Sequence, residues 1–368
     1  MKILYVSTLS NTINAFMIPH IMLLFDQGHQ VDIACNIDRE IRNNLKERGC
    51  EVFNIEFQRT PLSKRNYHAY KKLKMLIKTG EYDLIHTHTP IASACVRLAC
   101  KREKNTKVIY TAHGFHFHKG APLKNWLIYY PIERYLSKYT DVLITINNED
   151  YERAKRSFRA AKNSYIPGVG LDTKSFDNLK VDKLTKRKEI GVPEEAFLIL
   201  SVGELNKNKN HETIIRAVAK LNNPNIHYVI CGRGPLKSKL KELTRELGVD
   251  KQVTLLGFRK DVAHICQVAD IFAFPSKREG LGMAALEAMA SRLPIITSNV
   301  HGIVDYSIDG KTGFCNSPTD VDAFVTSIEK LFVDEDLRIR IGQYNKDYVN
   351  KFSLEIVTDK LASIYKNV

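Results

Sequence analysis

Two carboxylates, Glu279 and Glu287, carry the strongest chemical signal in this sequence. They are the first and last residues of the run Glu279-Gly-Leu-Gly-Met-Ala-Ala-Leu-Glu287. The glycines of this run predict a turn between a strand-like segment at 270–274 and an apolar helix. A helix that begins after such a turn leaves backbone N–H groups, and the positive end of its dipole, to hold an anion such as phosphate. The run therefore predicts an anion-binding turn with a carboxylate at each end.

Glu287 is predicted to be buried, because it is the only charged residue between Gly280 and Ser291. A buried carboxylate is costly unless it accepts hydrogen bonds. The hydroxyl groups of a ribose, next to the phosphates of a nucleotide, would donate them. The alternative is a helix-surface glutamate near Arg292, with Gly280 and Gly282 as ordinary turn residues.

Two other loops of the second half also follow predicted strands. One contains Gly203, which permits close backbone approach, and Lys209, which could neutralise phosphate. The other contains Gly257 and Phe258, which could flank a planar base. Ligands of open parallel sheets bind beyond the carboxyl ends of the strands, so we expect these loops to share one ligand with the Glu279 turn.

A group of histidines stands within 33 residues of the first half: His86, His88, His113, His116 and His118. Zinc binding is one interpretation, although the carboxylate or cysteine set that usually completes such a site is missing from the stretch. In the other, which we favour, one histidine per loop faces a ligand and the rest pack on Phe115 and Phe117. His113 is then the ligand-facing member, because it comes directly after a predicted strand.

Strand-like and helix-like segments alternate along both halves, which predicts an α/β fold with parallel sheets covered by helices on both faces. The predicted strands are 3–6, 30–35, 51–57, 83–86, 107–111, 141–146, 197–202, 227–231, 253–256, 271–274 and 294–297. The predicted helices are 15–27, 41–48, the basic stretch 58–79, 91–100, 210–221, 235–247, 321–332 and 354–365. A segment rich in proline and glycine at 165–172 predicts a domain boundary.

The length of 368 residues suggests two domains, each with its own core. The first residues read directly into a strand, so we expect no secretory signal, and no apolar run is long enough for a membrane span. Seven cysteines without a C-x-x-C pair argue against a disulfide framework and a zinc ribbon. These features predict a reducing compartment, most simply the cytoplasm.

The net charge of +14 is uneven: residues 1–172 carry +10 and residues 173–368 carry +4. Seven basic residues and no acidic one lie between Phe57 and Gly80, in a stretch with helical apolar spacing. They are Arg59, Lys64, Arg65, Lys71, Lys72, Lys74 and Lys78. Such a helix could lie on anionic lipid or be only a solvated surface. Nucleic acid is disfavoured, because no recognition motif accompanies the charge.

Taken together, these motifs resemble the retaining glycosyltransferases of family 4, and the resemblance covers nearly the whole chain. It rests on Thr111-Ala-His-Gly114, Ile166-Pro-Gly-Val-Gly-Leu-Asp172, Val202-Gly-Glu-Leu-Asn-Lys-Asn-Lys209, Cys231-Gly-Arg-Gly-Pro235, Leu256-Gly-Phe-Arg-Lys-Asp-Val262 and the E-x7-E run from Glu279 to Glu287. His86-Thr-His-Thr-Pro90 and Thr111-Ala-His-Gly-Phe-His-Phe117 are most similar to the bacterial capsule and exopolysaccharide branch.

The resemblance implies the GT-B architecture, in which two Rossmann-like domains face each other. Residues 1–170 would form an acceptor-binding domain and residues 171–352 a nucleotide-sugar-binding domain, with the C-terminal helix, 353–368, packed back on the first. It also implies roles for single residues. Glu287 would hold the ribose and Glu279 the transferred sugar, while Lys209 would stabilise the diphosphate leaving group. His113 would touch the donor sugar and orient the acceptor.

The remaining implied donor contacts are made by backbone and base-flanking groups. Gly203 would allow close approach, Gly257 and Phe258 would border the base, and the phosphates would meet the N–H groups of Gly280, Leu281, Gly282 and Met283. Three positions depart from the family pattern. Glu204 stands where an arginine is usual, Arg233 where an acidic residue is usual, and residues 10–16 replace a glycine pair; Arg233 or Arg278 could supply the missing cation.

The implied reaction is hexosyl transfer with retention, from a nucleotide-diphosphate donor, expected to be a UDP-sugar, without a metal or other cofactor. The implied acceptor is a saccharide on a polyprenyl diphosphate, in capsule or exopolysaccharide synthesis. The basic first domain, with Trp126 and neighbouring tyrosines, would suit an anionic surface at the inner face of the cell membrane. Three alternatives stay open: a catalytically silent sugar-nucleotide-binding partner, a sugar-nucleotide epimerase, and a metal-dependent hydrolase built on the histidines.

Overall fold

The chain forms two units in the computed structural model, which describes residues 1–61, 63–177 and 179–368. The first unit comprises Met1–Gly170 together with Leu354–Val368, and the second comprises Leu171–Ser353. The division falls in the segment rich in proline and glycine, and the last helix belongs to the first unit.

Seven parallel strands form the sheet of the first unit, in the order β3-β2-β1-β4-β5-β6-β7. The strands are β1 (Lys2–Leu9), β2 (Gln30–Asn36), β3 (Val52–Asn54), β4 (Leu84–His88), β5 (Lys107–Ala112), β6 (Val142–Thr145) and β7 (Lys162–Tyr165). Every residue of β4 is buried, as expected for a central parallel strand that is covered on both faces.

Helices cover this sheet, beginning with a continuous helical segment that contains one π turn, Ile13–Met17. They are α1 (Ser10–Thr12), α2 (Ile18–Asp26), α3 (Asn43–Lys46), α4 (Arg65–Gly80), α5 (Pro90–Ala99), α6 (Leu123–Leu136), α7 (Asn148–Ser157) and the C-terminal α15 (Leu354–Lys366). Helix α5 contacts both α4 and α6, so these three form one layer, while α15 packs against α2.

The second unit has six parallel strands in the order β10-β9-β8-β11-β12-β13. They are β8 (Phe197–Val202), β9 (Ile226–Cys231), β10 (Val253–Gly257), β11 (Ile271–Phe274), β12 (Ile295–Ser298) and β13 (Gly313–Asn316). Counted within the unit, this order repeats that of the first six strands of the chain. Both units therefore have the doubly wound, Rossmann-like topology, and the predicted fold class is confirmed.

The helices of the second unit are α8 (Lys183–Glu189), α9 (His211–Leu221), α10 (Lys237–Glu246), α11 (Val262–Cys266), α12 (Met283–Ala290), α13 (Val321–Val333) and α14 (Glu335–Tyr348). Aliphatic residues of β8, β9 and α9 form the centre of its core with Phe324 and Ile328 of α13. Because that core fixes the strands, their carboxyl ends and the loops that follow have defined positions.

Several predicted elements have different bounds in the structure. Strand β4 continues to His88, because residues beyond His86 also pair with β5. The first helical segment begins at Ser10 rather than residue 15. The predicted helix 41–48 and strand 51–57 are reduced to α3 and β3, at the edge of the sheet. Elements β7, β13, α6, α7, α8, α11 and α14 lie outside the predicted set.

Within the described ranges, no helix is long and apolar enough to cross a membrane. All seven cysteines are free thiols, and six of them are buried. Burial raises the pKa of the Cys95 thiol to about 11, so that side chain packs as a small neutral group.

Candidate active site

Lys209 and Glu279 form an ion pair at the carboxyl edge of the second sheet. The Lys209 Nζ lies 2.7 Å from Glu279 Oε1, and only 20% and 14% of the two side chains are exposed. The Lys209 stem runs across Gly203, where a Cβ would lie 3.0 Å from Lys209 Cδ, and its ammonium lies 4.8 Å from the centre of the Phe274 ring. Gly203 is thus placed to make room for the lysine.

Asparagine side chains fix the loop that carries Lys209. The Asn206 Oδ1 accepts hydrogen bonds from the backbone N–H groups of Asn208 and Lys209, each at 2.9 Å. Asn208 Nδ2 donates to the Arg278 carbonyl at 2.8 Å, and Asn210 Nδ2 donates to the Pro275 carbonyl at 3.0 Å. The loops after β8 and β11 are therefore tied together at several points, which holds Lys209 and Glu279 at one place.

These asparagines are functional positions that the motif analysis missed. Their signal was present in the run Asn206-Lys-Asn-Lys-Asn210, since asparagine favours turns and accepts the left-handed backbone that Asn210 adopts, with φ 57°.

The glycine-rich turn is built by close backbone contacts. Gly282 has φ +98°, and a Cβ there would lie 2.6 Å from the Phe274 ring. Gly302 approaches the turn so closely that a Cβ would lie 1.9 Å from the Gly280 carbonyl oxygen, and its N–H donates to the Glu279 carbonyl at 3.1 Å. Helix α12 then begins at Met283 without a side-chain cap. The turn thus presents an uncapped helix N-terminus beside Glu279.

Glu287 lies on α12 and is partly buried among apolar neighbours. Desolvation raises its pKa to about 7, so near neutral pH a large fraction of the carboxyl is protonated. A hydroxyl or cation that reached this carboxylate would stabilise its charged form. The sequence predicted a buried Glu287, and the structure shows it partly buried, which makes its charge sensitive to a hydrogen-bonding ligand.

Gly257 and Phe258 end β10 and begin the next loop of the same edge. Gly257 has φ +76°, and the Phe258 ring is 56% exposed. The guanidinium of Arg233, which follows β9, lies 5.7 Å from the centre of that ring. An exposed aromatic face with a guanidinium beside it could stack on a planar base.

The loop with Glu204 packs directly on the loop with Arg233. The Leu205 N–H donates to the Arg233 carbonyl at 2.9 Å, and a Cβ on Gly232 would lie 1.8 Å from the Gly203 oxygen. Both Glu204 and Arg233 are exposed, whereas Arg278 is partly buried. Positions 204 and 233 are therefore neighbours on one surface.

In the first unit, His113 directly follows β5, as predicted, and lies against His88. The His113 Nε2 and His88 Nδ1 are 3.0 Å apart, and the two rings are tilted at 37°. Burial lowers the pKa of His113 to about 4 and that of His88 well below the usual histidine value. Both rings are therefore neutral near pH 7, and one of the facing nitrogens donates to the other.

The other histidines pack differently from the expectation. His88 stacks on the Tyr5 ring and His86 meets that ring edge-on, so neither packs on Phe115 and Phe117. The His86 nitrogens lie 2.5 Å from the Tyr365 hydroxyl and 2.8 Å from the Thr111 hydroxyl. The phenylalanines instead stack on each other. Across residues 1–61, 63–177 and 179–368, no group of three or more histidine, cysteine or acidic side chains could hold a metal ion.

The residues predicted for a membrane or acceptor surface separate into two groups. Arg59, Lys64, Arg65, Lys71, Lys72, Lys74 and Lys78 are all exposed, and five of them lie on α4. Trp126 requires a correction, because it lies on the inner side of α6. Its ring packs near Phe117 and Tyr130, with the guanidinium of Arg153 at 4.5 Å.

The sequence matches two family descriptions, "Glycosyl transferase 4-like" over residues 2–147 and "Glycosyl transferases group 1" over residues 182–348. It is 37% identical to a Bacillus subtilis protein named "Putative glycosyltransferase EpsD", over 99% of this chain and 96% of that protein. The chain belongs to the family 4 glycosyltransferases. The predicted family is confirmed.

A second relative is the Escherichia coli UDP-Gal:alpha-D-GlcNAc-diphosphoundecaprenol alpha-1,3-galactosyltransferase, 30% identical over 93% of this chain and 90% of that protein. The crystal structure of Anabaena HepE in complex with UDP has the same fold, with a TM-score of 0.82, 19% identity and full coverage of both chains. As a family 4 glycosyltransferase, the protein takes its sugar from a nucleotide-sugar donor.

Proposed function

We propose that this glycosyltransferase transfers a hexosyl group from a UDP-sugar, with retention of configuration, to a saccharide carried on a polyprenyl diphosphate. The observation that carries the proposal is the Lys209–Glu279 pair beside the uncapped N-terminus of α12. This arrangement puts a cation and a helix dipole where a diphosphate can bind, with a carboxylate for sugar hydroxyls.

In the proposed reaction, the bond between the anomeric carbon and the diphosphate oxygen breaks. The acceptor hydroxyl forms the new glycosidic bond on the same face of the sugar, as retention requires, and its proton passes to the departing diphosphate oxygen. Lys209 and the α12 N-terminus stabilise the negative charge that grows on the departing UDP. Glu279 orients the transferred sugar and keeps the Lys209 ammonium in position. No metal or other cofactor is part of this proposal.

The nucleoside is proposed to bind along the rest of the same edge. Glu287 accepts hydrogen bonds from the ribose hydroxyls, and these bonds favour its ionised form over the protonated form that burial favours. The base lies against Gly257 and the exposed ring of Phe258. Uracil is chosen because the E. coli relative is named for UDP-Gal and HepE was crystallised with UDP.

The acceptor is assigned to the first unit, where neutral histidines lie at the carboxyl ends of β4 and β5. The proposed acceptor class follows the E. coli relative, whose name contains a diphosphoundecaprenol substrate. The role in capsule or exopolysaccharide synthesis, at the inner face of the cell membrane, rests on the sequence motifs and on EpsD as a relative. His113 is proposed to contact the donor sugar and to position the acceptor hydroxyl.

Two measurements test the choice of nucleotide and the transfer activity. Thermal shift with UDP, GDP and ADP should show the largest stabilisation with UDP, since a ligand that binds only the folded state raises its stability. Transfer of label from UDP-sugars to a polyprenyl-diphosphate saccharide should then depend on Lys209. Binding of UDP without transfer or hydrolysis would favour a silent partner, and interconversion of the sugar without acceptor would favour an epimerase.

A further inference from the structure

The outer face of helix α6 is apolar, although it is exposed to solvent. Its exposed fractions are 72% for Leu123, 69% for Leu127, 53% for Ile128, 49% for Ile132 and 46% for Tyr135. At about 100° per residue these five positions span the outer half of the helix, with Lys124 and Arg134 among them, and we call the five residues the α6 face. A contiguous exposed patch of large apolar side chains is typical of a docking surface.

Polar contacts on the opposite side prevent the helix from turning this face inward. The carboxylate of Glu133, on α6, forms an ion pair with Arg97 of α5 at 2.9 Å, and both side chains are buried. Asn125 Nδ2 donates to the His116 carbonyl at 2.9 Å, and Trp126 packs under Arg153. Rolling α6 would break a buried ion pair, so the apolar face is held outward.

Positive charge surrounds the α6 face. Lys124 and Arg134 are exposed on the helix itself, and the Lys138 ammonium lies 4.0 Å from the centre of the Tyr135 ring. The acidic residue of α6, Glu133, is buried and paired. In the same helix layer, α4 presents the exposed Lys71, Lys72, Lys74 and Lys78. The layer therefore combines apolar side chains with cations.

We propose that the α6 face is a membrane-docking surface that inserts at the boundary between headgroups and acyl chains of an anionic bilayer, with the cations of α4 and α6 on the lipid phosphates. A second copy of the chain is a poorer occupant, because a contact between two α6 faces would bring the cations of one copy close to those of the other. The proposal deepens the proposed function, which supplies the lipid-borne acceptor.

The first test measures docking without donor or acceptor, so that it can fail independently of the proposed reaction. Full-length protein is sedimented with vesicles of phosphatidylcholine alone or mixed with phosphatidylglycerol. The wild type should bind the anionic vesicles, and Leu123→Gln/Leu127→Gln/Ile128→Gln should lower the partition coefficient by about tenfold or more. Val333→Gln/Ile339→Gln, at residues 77% and 63% exposed in the second unit, is the control and should bind as the wild type does.

The proposal is overturned if the wild-type protein does not bind anionic vesicles, or if the triple variant binds them as well as the wild type does. A triple variant that turns a dimer into a monomer without loss of vesicle binding also overturns it, since the face is then a protein interface. A circular-dichroism spectrum and a melting temperature equal to those of the wild type show that the triple variant is folded.

A second test measures which side of α6 contacts the lipid, and it does not use the triple variant. Trp126 is the only tryptophan of the chain and lies on the inner side of α6. Lipids brominated near the headgroup should quench it weakly, whereas Ile128→Trp in a Trp126→Phe background should be quenched at least three times more strongly. Equal quenching at the two positions would contradict insertion of the α6 face.

Discussion

The two sheets share a strand order but differ in the chemistry at their carboxyl edges. The second edge carries the Lys209–Glu279 ion pair and the titratable Glu287, all beside an uncapped helix N-terminus. The first edge carries His86, His88 and His113, whose burial keeps them neutral. One topology thus supports an ion pair beside a helix N-terminus at one edge and neutral imidazoles at strand ends of the other.

The local environment at each edge explains why the side chains of the two edges differ in ionisation. A glycine-rich turn before α12 leaves the helix N-terminus accessible, and the asparagines of the adjacent loop hold a lysine there. In the first unit the corresponding strand ends carry imidazoles packed on Tyr5, and desolvation of such rings favours the neutral form. Substitutions at the two edges should therefore separate donor binding from the other requirements of transfer.

The largest effect is expected at Lys209. Lys209→Ala should lower kcat by roughly 10³-fold, because the growing charge on the leaving diphosphate loses its cation. Lys207→Ala, at an exposed residue of the same loop, is the matched control and should stay near the wild-type rate. Steady-state transfer from a UDP-sugar measures both. Retention of more than a tenth of the activity by Lys209→Ala would exclude the assigned phosphate site.

Glu279→Gln should lower transfer by about 10²-fold, since Gln keeps the shape but neither holds the Lys209 ammonium by charge nor binds the sugar as strongly. Because the two side chains form a pair, Lys209→Ala/Glu279→Gln should be little worse than Lys209→Ala. Glu212→Gln, in a partly exposed pair with Arg216, is the control. Fully additive losses would show that the two residues act separately.

His113→Asn tests the neutral edge. Transfer should fall roughly tenfold to a hundredfold, while the affinity for UDP measured by calorimetry should change by less than about twofold. Since the pKa of His113 is lowered to about 4, its ring should add no inflection to the pH–rate profile between pH 5.5 and 8. A large loss of UDP affinity would remove the distinction between the edges.

Glu287 should make donor binding depend on pH. With a pKa of about 7 in the free protein, the carboxylate is mostly protonated at pH 6 and mostly ionised at pH 8. Affinity for UDP-glucose, whose diphosphate does not titrate there, should rise roughly tenfold over this interval. Glu287→Gln should bind more weakly at pH 8 and lose the dependence. A wild-type affinity that is flat with pH would contradict the ribose contact.

The same group affects stability with the opposite sign. Its pKa is raised from 4.5 to about 7 by folding, so the folded state holds the proton more tightly. The stabilisation is therefore present below pH 4.5 and is lost as the pH rises towards 7. Denaturant unfolding without ligand should show this loss in the wild type and not in Glu287→Gln.

The smallest effect is expected at the C-terminal helix. Tyr365→Phe removes the hydroxyl that contacts His86 inside the first unit and should lower its free energy of unfolding by about 1–2 kcal/mol. Tyr344→Phe, at a residue 37% exposed in the second unit, should change stability by less than about 0.5 kcal/mol. Hydrogen exchange of the two units would separate the effects.

The sequence predicts best those helices and strands whose residue pattern has one physical cause, such as burial on both faces. Strands such as Phe197–Val202 and Ile271–Phe274 have the predicted bounds, because continuous burial in a parallel sheet requires apolar runs. Helix α6 was missed, since apolar side chains lie both on its exposed side and on the inner side that packs against Phe117. Its pattern therefore has no amphipathic period to find.

The glycine-rich turn before α12 was predictable from composition, because glycines in front of an apolar helix indicate positive φ or close packing, and Gly282 has φ +98°. The partners of the turn's residues were not. The 2.7 Å contact between Lys209 and Glu279 joins positions 70 residues apart. The packing of His86 and His88 around Tyr5 likewise depends on strand register, which composition does not contain.

The second unit begins and ends at adjacent points of its own surface. The Leu171 N–H donates to the Phe352 carbonyl at 3.0 Å, and Leu171 pairs with Ser353 as an isolated bridge. Residues 171–353 are thus inserted into the sequence of the first unit as one segment whose two ends are adjacent. Exchange of this segment between relatives, with both junctions preserved, would test the proposed division of donor and acceptor binding between the two units.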